Sequence, residues 1–338
     1  MRKREADMIE KRCEKNTLLQ IKNLSISFRQ YEQGLRQSDL QVIRDLDVTV
    51  HRGEMVAVVG SSGSGKSLLA HAVLGILPYN SSMSGEIRYR GEILDQRRAE
   101  QLRGGEIVLV PQSTSYLDPL MKIGSQVRKG RRDRKLREKN DSIFHHYHLK
   151  KEVEEQYPFE LSGGMTRRVL ISTALMEQPK LIIADEPTPG LHIDVAKRAL
   201  GHFRQLADEG AGVLLITHDL ELAAQVADRI VVFYAGTTLE DARAEDFAQE
   251  ATLKHPYTKA LWRAMPKNGF QFIKGIQPYA KDMPKGCPFG PRCSQFTEAC
   301  ADAVPYRKAG DGYVRCIHYQ DADRKKQLET GMEREESA

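Results

Sequence analysis

Several features that would place a protein in a special class are missing from this 338-residue chain. No apolar run approaches the roughly 18 consecutive residues that a membrane-spanning helix needs. The opening segment, MRKREADMIEKRCEKN, lacks the apolar core of a secretory signal, so we expect a cytosolic protein. The chain has only 5 cysteines, which in a reducing compartment do not predict a disulfide framework. With 26 Gly and 14 Pro, it is neither collagen-like nor a low-complexity polymer.

A strong charge of one sign is also missing. The 51 basic and 46 acidic residues leave a net charge of +5, from 51 minus 46. Nucleic-acid-binding proteins usually concentrate a larger excess on one face, so we expect no nucleic-acid partner. Hydrophobic residues make up 40% of the chain, and its length predicts about two domains that can each bury a core.

Changes in residue pattern divide the chain into successive segments. Residues 1–16 are polar, and residues 17–250 contain short apolar strands separated by helical patterns, which favours a largely parallel sheet flanked by helices. A helical insertion is predicted at about 113–178, where apolar strands are absent. Residues 251–319, rich in Pro, Gly and Cys, predict a small appended domain, and 320–338 predict a disordered tail.

A basic run lies inside the predicted insertion. Eight Lys and Arg residues occur within 128–139. Such a run is typical of a solvated helix face, or of a surface that meets a membrane-protein partner or anionic headgroups.

A phosphate-binding loop follows the apolar run MVAVV and precedes a helical pattern. The pattern G-x-x-x-x-G-K-[ST] is matched in full by Gly60, Ser61, Ser62, Gly63, Ser64, Gly65, Lys66 and Ser67. Glycines let the backbone N–H groups point at phosphate oxygens, and the next helix adds its positive N-terminal end. Lys66 would neutralise the outer phosphates and Ser67 would bind Mg²⁺. We predict ATP contacts over positions 60–68.

Polar residues follow three other predicted strands. Asp185 and Glu186 end the run LIIADE, where Asp185 could hold Mg²⁺ and Glu186 could act as the general base. Gln112 follows IVLVP and could sense the metal, and His218 follows VLLIT and could contact the γ-phosphate. Because parallel strands end at one edge of a sheet, these side chains are predicted to meet at the phosphate loop. The predicted catalytic residues are Glu186, His218, Gln112 and Lys66.

Together, the motifs resemble the nucleotide-binding domain of ABC transporters over about residues 25–240. Their order along the chain is the phosphate loop, VPQ, LSGGM, LIIADEP and ITHD. Met165 within LSGGM, together with HPYTKAL and GCPFGPRC further along, is similar to the ATPases of oligopeptide and dipeptide importers. The resemblance implies an α/β fold: a P-loop NTPase core of ABC type, with an edge antiparallel β-subdomain, a helical insertion subdomain and a small cysteine-containing C-terminal domain.

The resemblance also implies partners. Two ATPase domains would face head to tail, with Ser162, Gly163 and Gly164 of one closing over the ATP of the other. Two integral membrane permease subunits and, indirectly, an extracytoplasmic solute-binding protein would complete an importer, with this chain at the cytoplasmic face of the membrane. Phe28 aligns with the adenine-stacking aromatic of the family, although a core position would also account for it.

Two positions depart from the family pattern. His192 stands where an Asp that couples the two ATP sites is usual, and Arg167 stands where Gln is usual. We therefore expect a second, non-identical ATPase subunit and two unequal sites.

Four of the cysteines cluster near the end of the chain. Cys287, Cys293, Cys300 and Cys316 suggest ligation of a soft metal, but their spacings of 5, 6 and 15 intervening residues differ from the paired cysteines of common zinc sites. Free structural cysteines would be the alternative. The resemblance to peptide-importer ATPases implies a [4Fe–4S] cluster on these positions, in addition to ATP and Mg²⁺.

Two other functions remain open at this point. A nickel or metal-chelate importer would share most of the motifs, although those ATPases usually lack the cysteine segment. A non-transport ABC ATPase acting on DNA, ribosomes or cluster assembly would usually carry paired domains or long coiled insertions, which this sequence does not show.

Overall fold

The structure, a computed structural model, describes residues 16–31, 36–61 and 63–319. Cys13, Ser62, the tail 320–338 and all but the last residue of the polar segment 1–16 lie outside these residues. Within the described part of the chain, no helix is long and apolar enough to cross a membrane.

Two sheets and a set of mostly short helices form the fold. The strands are β1 Thr17–Tyr31, β2 Gln37–His51, β3 Met55–Val59, β4 Ser81–Tyr89, β5 Glu92–Ile93, β6 Ile107–Val110, β7 Leu181–Asp185, β8 Gly212–Thr217, β9 Arg229–Tyr234, β10 Thr237–Arg243, β11 Arg307–Ala309 and β12 Gly312–Val314. The helices are α1 Lys66–Val73, α2 Gln96–Leu102, α3 Ile123–Val127, α4 Arg134–His146, α5 Gly163–Leu175, α6 Ile193–Asp208, α7 Leu220–Val226 and α8 Pro256–Arg263. Short 3₁₀ turns lie at Thr114–Tyr116, Lys151–Glu155, Pro158–Glu160, Ala244–Ala248, Glu250–Thr252, Pro266–Asn268, Ala280–Asp282, Gly290–Arg292 and Glu298–Ala301.

Among the described residues, the main sheet has eight strands in the order β11-β12-β10-β9-β3-β8-β7-β6. Its central part, from β9 to β6, is parallel, as predicted. The central strands are continuous apolar runs because both faces of the sheet are covered. In β3, Val56 and Val58 pack into the core on one face, whereas Met55, Ala57 and Val59 pack into the core on the other.

The predicted antiparallel edge sheet is present, and in the part of the chain that the structure describes it has four strands in the order β2-β1-β4-β5. Side chains of β1 and β2, together with α1, cover one face of the main sheet in a single apolar core. Part of that core, Ile43, lies beside the phosphate loop, since a Cβ on Gly65 would be only 2.7 Å from its Cδ1 atom.

The predicted insertion is helical, containing α3, α4, α5 and 3₁₀ turns but no strand between β6 and β7. Part of its basic run is paired within the insertion. Arg128 forms an ion pair with Glu154, and Lys129 and Arg131 both pair with Glu177 at 3.0 and 2.6 Å. These three cations are therefore paired with acidic side chains of the same subdomain.

The C-terminal segment, residues 251–319, joins the main sheet, which the sequence did not predict. β12 pairs with β10 and with β11, so the last two strands extend the sheet by antiparallel pairing. Each of them has three residues, RKA and GYV, which is too short for a recognisable alternation.

Candidate active site

The phosphate loop connects the C-terminal end of β3 to the start of α1. Gly60 is required by close packing, because a Cβ there would lie 2.2 Å from the main-chain oxygen of Phe233. Gly65 has a φ of 93°, a left-handed conformation that favours glycine, and it immediately precedes α1. The loop therefore begins and ends at positions that accept only glycine easily.

Lys66 is buried and bends back over the loop. Its Nζ donates hydrogen bonds of 2.9 Å to the main-chain oxygens of Gly60 and Ser61. Burial lowers the pKa of Lys66, while the nearby carboxylates of Glu186 and Asp185 oppose that shift. The ammonium group is therefore a buried cation at the loop, suited to neutralising phosphate charge.

The structure brings Asp185 and Ser67 together, as an Mg²⁺ site requires. Burial raises the pKa of Asp185, and the nearby Ser67 hydroxyl opposes this shift. Oδ1 of Asp185 is buried and has no hydrogen-bond partner among the described residues. A hydroxyl beside a carboxylate with an unused oxygen fits the oxygen ligands that Mg²⁺ prefers.

Glu186 and His218 also meet, although they end different strands. Nδ1 of His218 lies 2.8 Å from Oε2 of Glu186. Glu186 is 6% exposed and has a φ of 46°, and its N–H donates to the Ile216 oxygen at 2.9 Å. Backbone strain of this kind is common at functional sites. The pair can polarise a water molecule, with His218 orienting the carboxylate.

Gln112 lies outside this tight group. It is exposed, two residues beyond β6, at the far side of the parallel part of the sheet from β3. Arg167, however, is buried and donates a 2.8 Å hydrogen bond from its guanidinium to the oxygen of Pro111. Burial lowers the pKa of Arg167, and Asp185 and Glu186 oppose this shift. Arg167 thus links α5 to the residue before Gln112 and contributes positive charge near the carboxylates.

The LSGGM motif begins α5 as expected. Ser162 is the N-cap residue, and its Oγ accepts from the N–H of Met165 at 3.4 Å. Gly163 is exposed, and a Cβ on Gly164 would lie 3.6 Å from the oxygen of Gly190. The exposed turn therefore lies next to the loop that leads to His192.

The structure does not place Phe28, Leu68 or Ser62 in a polar contact with the nucleotide site. Phe28 is half-buried on β1 and packs against the core beside the antiparallel sheet, so its stacking role stays a prediction. Position 68 is Leu68, which packs against the same core, so an ATP contact there stays a prediction. Ser62 lies outside the described residues. Gly63 and Ser64 lie within the loop, and the buried Oγ of Ser64 has no partner among the described residues.

The four C-terminal cysteines line one small pocket, together with His255 and His318. Burial raises the pKa of Cys287 to about 11, while an N–H bond from Phe289 opposes the shift. Cys293 receives a similar N–H bond from Gln295. In the part of the chain that the structure describes, no three His, Cys, Asp or Glu side chains are close enough to hold a metal ion. The structure therefore gathers the thiols without bringing them to the spacing of a single-ion site.

Two residues near the loop were missed by sequence reasoning. Gln277 accepts a 2.6 Å hydrogen bond from Oγ of Ser61, and Tyr257 lies near the same serine, which lowers the pKa of its hydroxyl against the effect of burial. Tyr257 belongs to the HPYTKAL motif, which drew attention only as a family likeness, and no signal in the sequence marked Gln277.

Comparison with known families agrees with this geometry. The family described as ABC transporter matches residues 43–189, and the family described as oligopeptide/dipeptide transporter, C-terminal region, matches residues 239–300. Among solved structures, an ATP-binding subunit of an ABC transporter has 25% identity and a TM-score of 0.56, covering 68% of this chain and 92% of that one. The dimeric bacterial ABC transporter cassette MJ0796 has 24% identity and a TM-score of 0.59, covering 67% and 99%. The predicted ABC-type fold is confirmed.

Curated relatives match over most of the chain. The oligopeptide transport ATP-binding protein OppD of Salmonella typhimurium is 34% identical over 318 residues, which is 89% of this chain and 93% of that protein. The dipeptide transport ATP-binding protein DppD of Haemophilus influenzae is 33% identical over 330 residues, 88% and 94% respectively. The resemblance drawn from the five motifs is thereby confirmed. The chain belongs to the ABC transporter ATP-binding proteins, in the branch that carries the oligopeptide/dipeptide transporter C-terminal region.

Proposed function

We propose that this chain is the ATP-hydrolysing subunit of an ABC importer for oligopeptides or dipeptides. The observation that carries the proposal is the convergence of Lys66, Asp185 and the Glu186–His218 pair at one end of the parallel sheet. Relatives named as oligopeptide and dipeptide transport ATP-binding proteins, and the C-terminal match at residues 239–300, support the peptide cargo.

Each group has a distinct part in the proposed reaction. The loop and Lys66 bind the phosphates, and Asp185 with Ser67 would hold Mg²⁺, which neutralises charge on the transferring phosphoryl group. Glu186 accepts a proton from the attacking water, and His218 orients Glu186 and contacts the γ-phosphate. Gln112 would report metal occupancy to the insertion through the segment after β6.

A second ATPase subunit completes the proposed site. The exposed turn at Ser162 and Gly163 would supply N–H groups and a hydroxyl to ATP bound on the other subunit. His192, at the N-cap of α6, replaces the usual coupling Asp, which supports a non-identical partner and unequal sites. Two membrane permeases would receive the closure movement at the cytoplasmic face, and a solute-binding protein would deliver the peptide.

The test is co-purification followed by transport. Tagged chain expressed with its neighbouring genes should purify with two membrane subunits and a second ATPase, and the reconstituted complex should take up labelled peptide in an ATP-dependent way. Loss of uptake in Lys66→Ala, with the complex intact, ties transport to this loop. Uptake of nickel but not peptide, or purification with RNA and no membrane subunit, would contradict the proposal.

We also propose that Cys287, Cys293, Cys300 and Cys316 hold a [4Fe–4S] cluster. A tetrahedral ion about 2.3 Å from each sulfur would bring the sulfurs to about 3.8 Å from one another. The four thiols line one pocket, but their sulfurs are not close enough to one another to share a single ion. Main-chain N–H groups are directed at the sulfurs of Cys287 and Cys293. These features suit a larger cluster held by four thiolates, which would stabilise the C-terminal segment.

Anaerobic purification tests this second proposal. We expect brown protein with four irons per chain, and we expect Cys293→Ser to lose iron while the matched control Cys13→Ser keeps it. Colourless protein with stoichiometric zinc, or iron that survives in Cys293→Ser, would contradict it.

A further inference from the structure

The C-terminal segment reaches the phosphate loop at one residue, Ser61. Oγ of Ser61 donates a 2.6 Å hydrogen bond to Oε1 of Gln277, 216 positions further along the chain. Gln277 is only half-buried, so neither partner is forced into this contact by the apolar core. The bond therefore joins the nucleotide site to a part of the chain outside the ABC transporter match at residues 43–189.

Tyr257 contacts the same serine. Its side chain is 2% exposed, and its hydroxyl lies close enough to the main chain and side chain of Ser61 for both to lower the pKa of Tyr257 against the effect of burial. Its ring packs against Tyr234 and Phe289, with ring centroids 4.4 and 5.3 Å away. The ring position is thus set by aromatic packing, and the hydroxyl is the part that reaches the loop.

The helix that carries Tyr257 is itself firmly placed. His255 caps α8, accepting from the N–H of Tyr257 at 3.0 Å. The buried carboxylate of Glu240 accepts from the N–H groups of Lys254 and His255 at 2.9 and 2.8 Å. Tyr257 therefore meets Ser61 from a rigid support on the main sheet, a requirement for a residue that positions another.

Ser61 matters to phosphate binding because Lys66 depends on it. Nζ of Lys66 donates to the main-chain oxygen of Ser61 at 2.9 Å, and Ser61 is the second residue of the loop. A displaced Ser61 would move an acceptor of the buried ammonium group and the N–H groups that follow it. Small misplacements of this kind reduce binding because the loop must reorganise when the nucleotide arrives.

We propose that Tyr257 and Gln277 are positioning residues for the phosphate loop, and that the C-terminal segment thereby raises the affinity of this chain for MgATP. The inference rests on the proposed ATP site. Neither residue contacts the reacting atoms, so the pair acts on nucleotide binding and leaves the chemical step to Glu186 and His218.

The test measures MgATP affinity in the full-length protein and the KM and kcat of the assembled complex. Tyr257→Phe keeps the packed ring and removes the hydroxyl, and Gln277→Ala removes the acceptor. One lost hydrogen bond should weaken MgATP binding and raise KM about three- to tenfold, with kcat within about twofold. Matched controls are Tyr279→Phe and Gln271→Ala, which change exposed residues of the same segment and should leave both constants unchanged.

A double-mutant cycle separates positioning from general stability. If Gln277 acts through Ser61, the effects of Gln277→Ala and Ser61→Ala on MgATP affinity will not add, because both remove the same bond. Melting temperatures should stay close to that of the parent protein. Additive effects, an unchanged dissociation constant in both single variants, or tighter MgATP binding would overturn the inference.

The proposed ATP site fails by a different result. Lys66→Ala should abolish MgATP binding, independently of the results for the Tyr257 and Gln277 variants. Persistent binding in Lys66→Ala would contradict the site itself, whereas lost binding there with unaltered affinity in Tyr257→Phe and Gln277→Ala would contradict only the positioning role.

Discussion

Replacing Glu186 with glutamine isolates the proton-accepting role of this residue. Glutamine has nearly the same size, and its amide can still bond to His218, which lies 2.8 Å from the present carboxylate oxygen. Because Glu186 is only 6% exposed, water cannot take over its position. A positioned general base contributes about 10²- to 10⁴-fold to rate, or about 3 to 5 kcal/mol of barrier. We expect kcat to fall by that factor.

Nucleotide binding should survive the same substitution. Lys66 bonds to the main-chain oxygens of Gly60 and Ser61, so its placement does not depend on the Glu186 carboxylate. Removing one negative charge from the site also reduces its repulsion of phosphate. The assays are steady-state ATP hydrolysis by the complex, binding of a fluorescent ATP analogue, and size-exclusion chromatography, in which MgATP should trap a closed dimer.

The control for this experiment is Glu152→Gln, which neutralises an exposed carboxylate in the insertion. That variant should turn over ATP at the parent rate. Hydrolysis by Glu186→Gln above about a tenth of the parent rate would refute the reasoning, since a loss that small is below the range of a general base.

Four further substitutions test close packing and buried ionisable groups in the fold. Gly60→Ala should weaken ATP binding more than tenfold and lower the free energy of unfolding in urea by about 1–3 kcal/mol, because the added Cβ would lie 2.2 Å from the Phe233 oxygen. Gly201→Ala, which has open space around it, should instead raise the free energy of unfolding by about 0.5–1 kcal/mol. Arg229→Met should lower the free energy of unfolding by about 3–5 kcal/mol at pH 7, since it leaves two buried carboxylates unpaired, and a loss under 1 kcal/mol would count against this ion-pair network. Burial lowers the pKa of His202, so the unfolded chain takes up its proton more readily and the free energy of unfolding should fall as the pH drops below about 6.5; His202→Gln should flatten that part of the profile, and an identical profile would contradict the assignment.

Buried strands made of apolar side chains were predictable, and a buried strand that carries polar side chains was not. β3 is apolar throughout and β8 is apolar up to its last residue, Thr217, so their patterns alone predict buried central strands. β10, with the sequence TTLEDAR, is buried over its first six residues and has no such pattern. Its Glu240 is satisfied by N–H groups at the start of α8, and its Asp241 by Arg229 on the neighbouring strand. Those partners come from other elements, which no local reading of the sequence can supply.

The phosphate-binding chemistry was determined by the sequence itself, because a loop that surrounds phosphate needs glycines, a lysine and a hydroxyl at neighbouring positions. The order of the other motifs along the chain likewise sufficed to identify the family. The parallel strand ends predicted that His218 and Glu186 come together, and the structure gives the distance between them. Only the tertiary structure decided that Gln112 stays apart from them, that Arg167 lies near the same carboxylates, and that Tyr257 and Gln277 meet Ser61. The reason is physical: these contacts join residues from separate elements, and their distances depend on how the two sheets and the C-terminal segment pack.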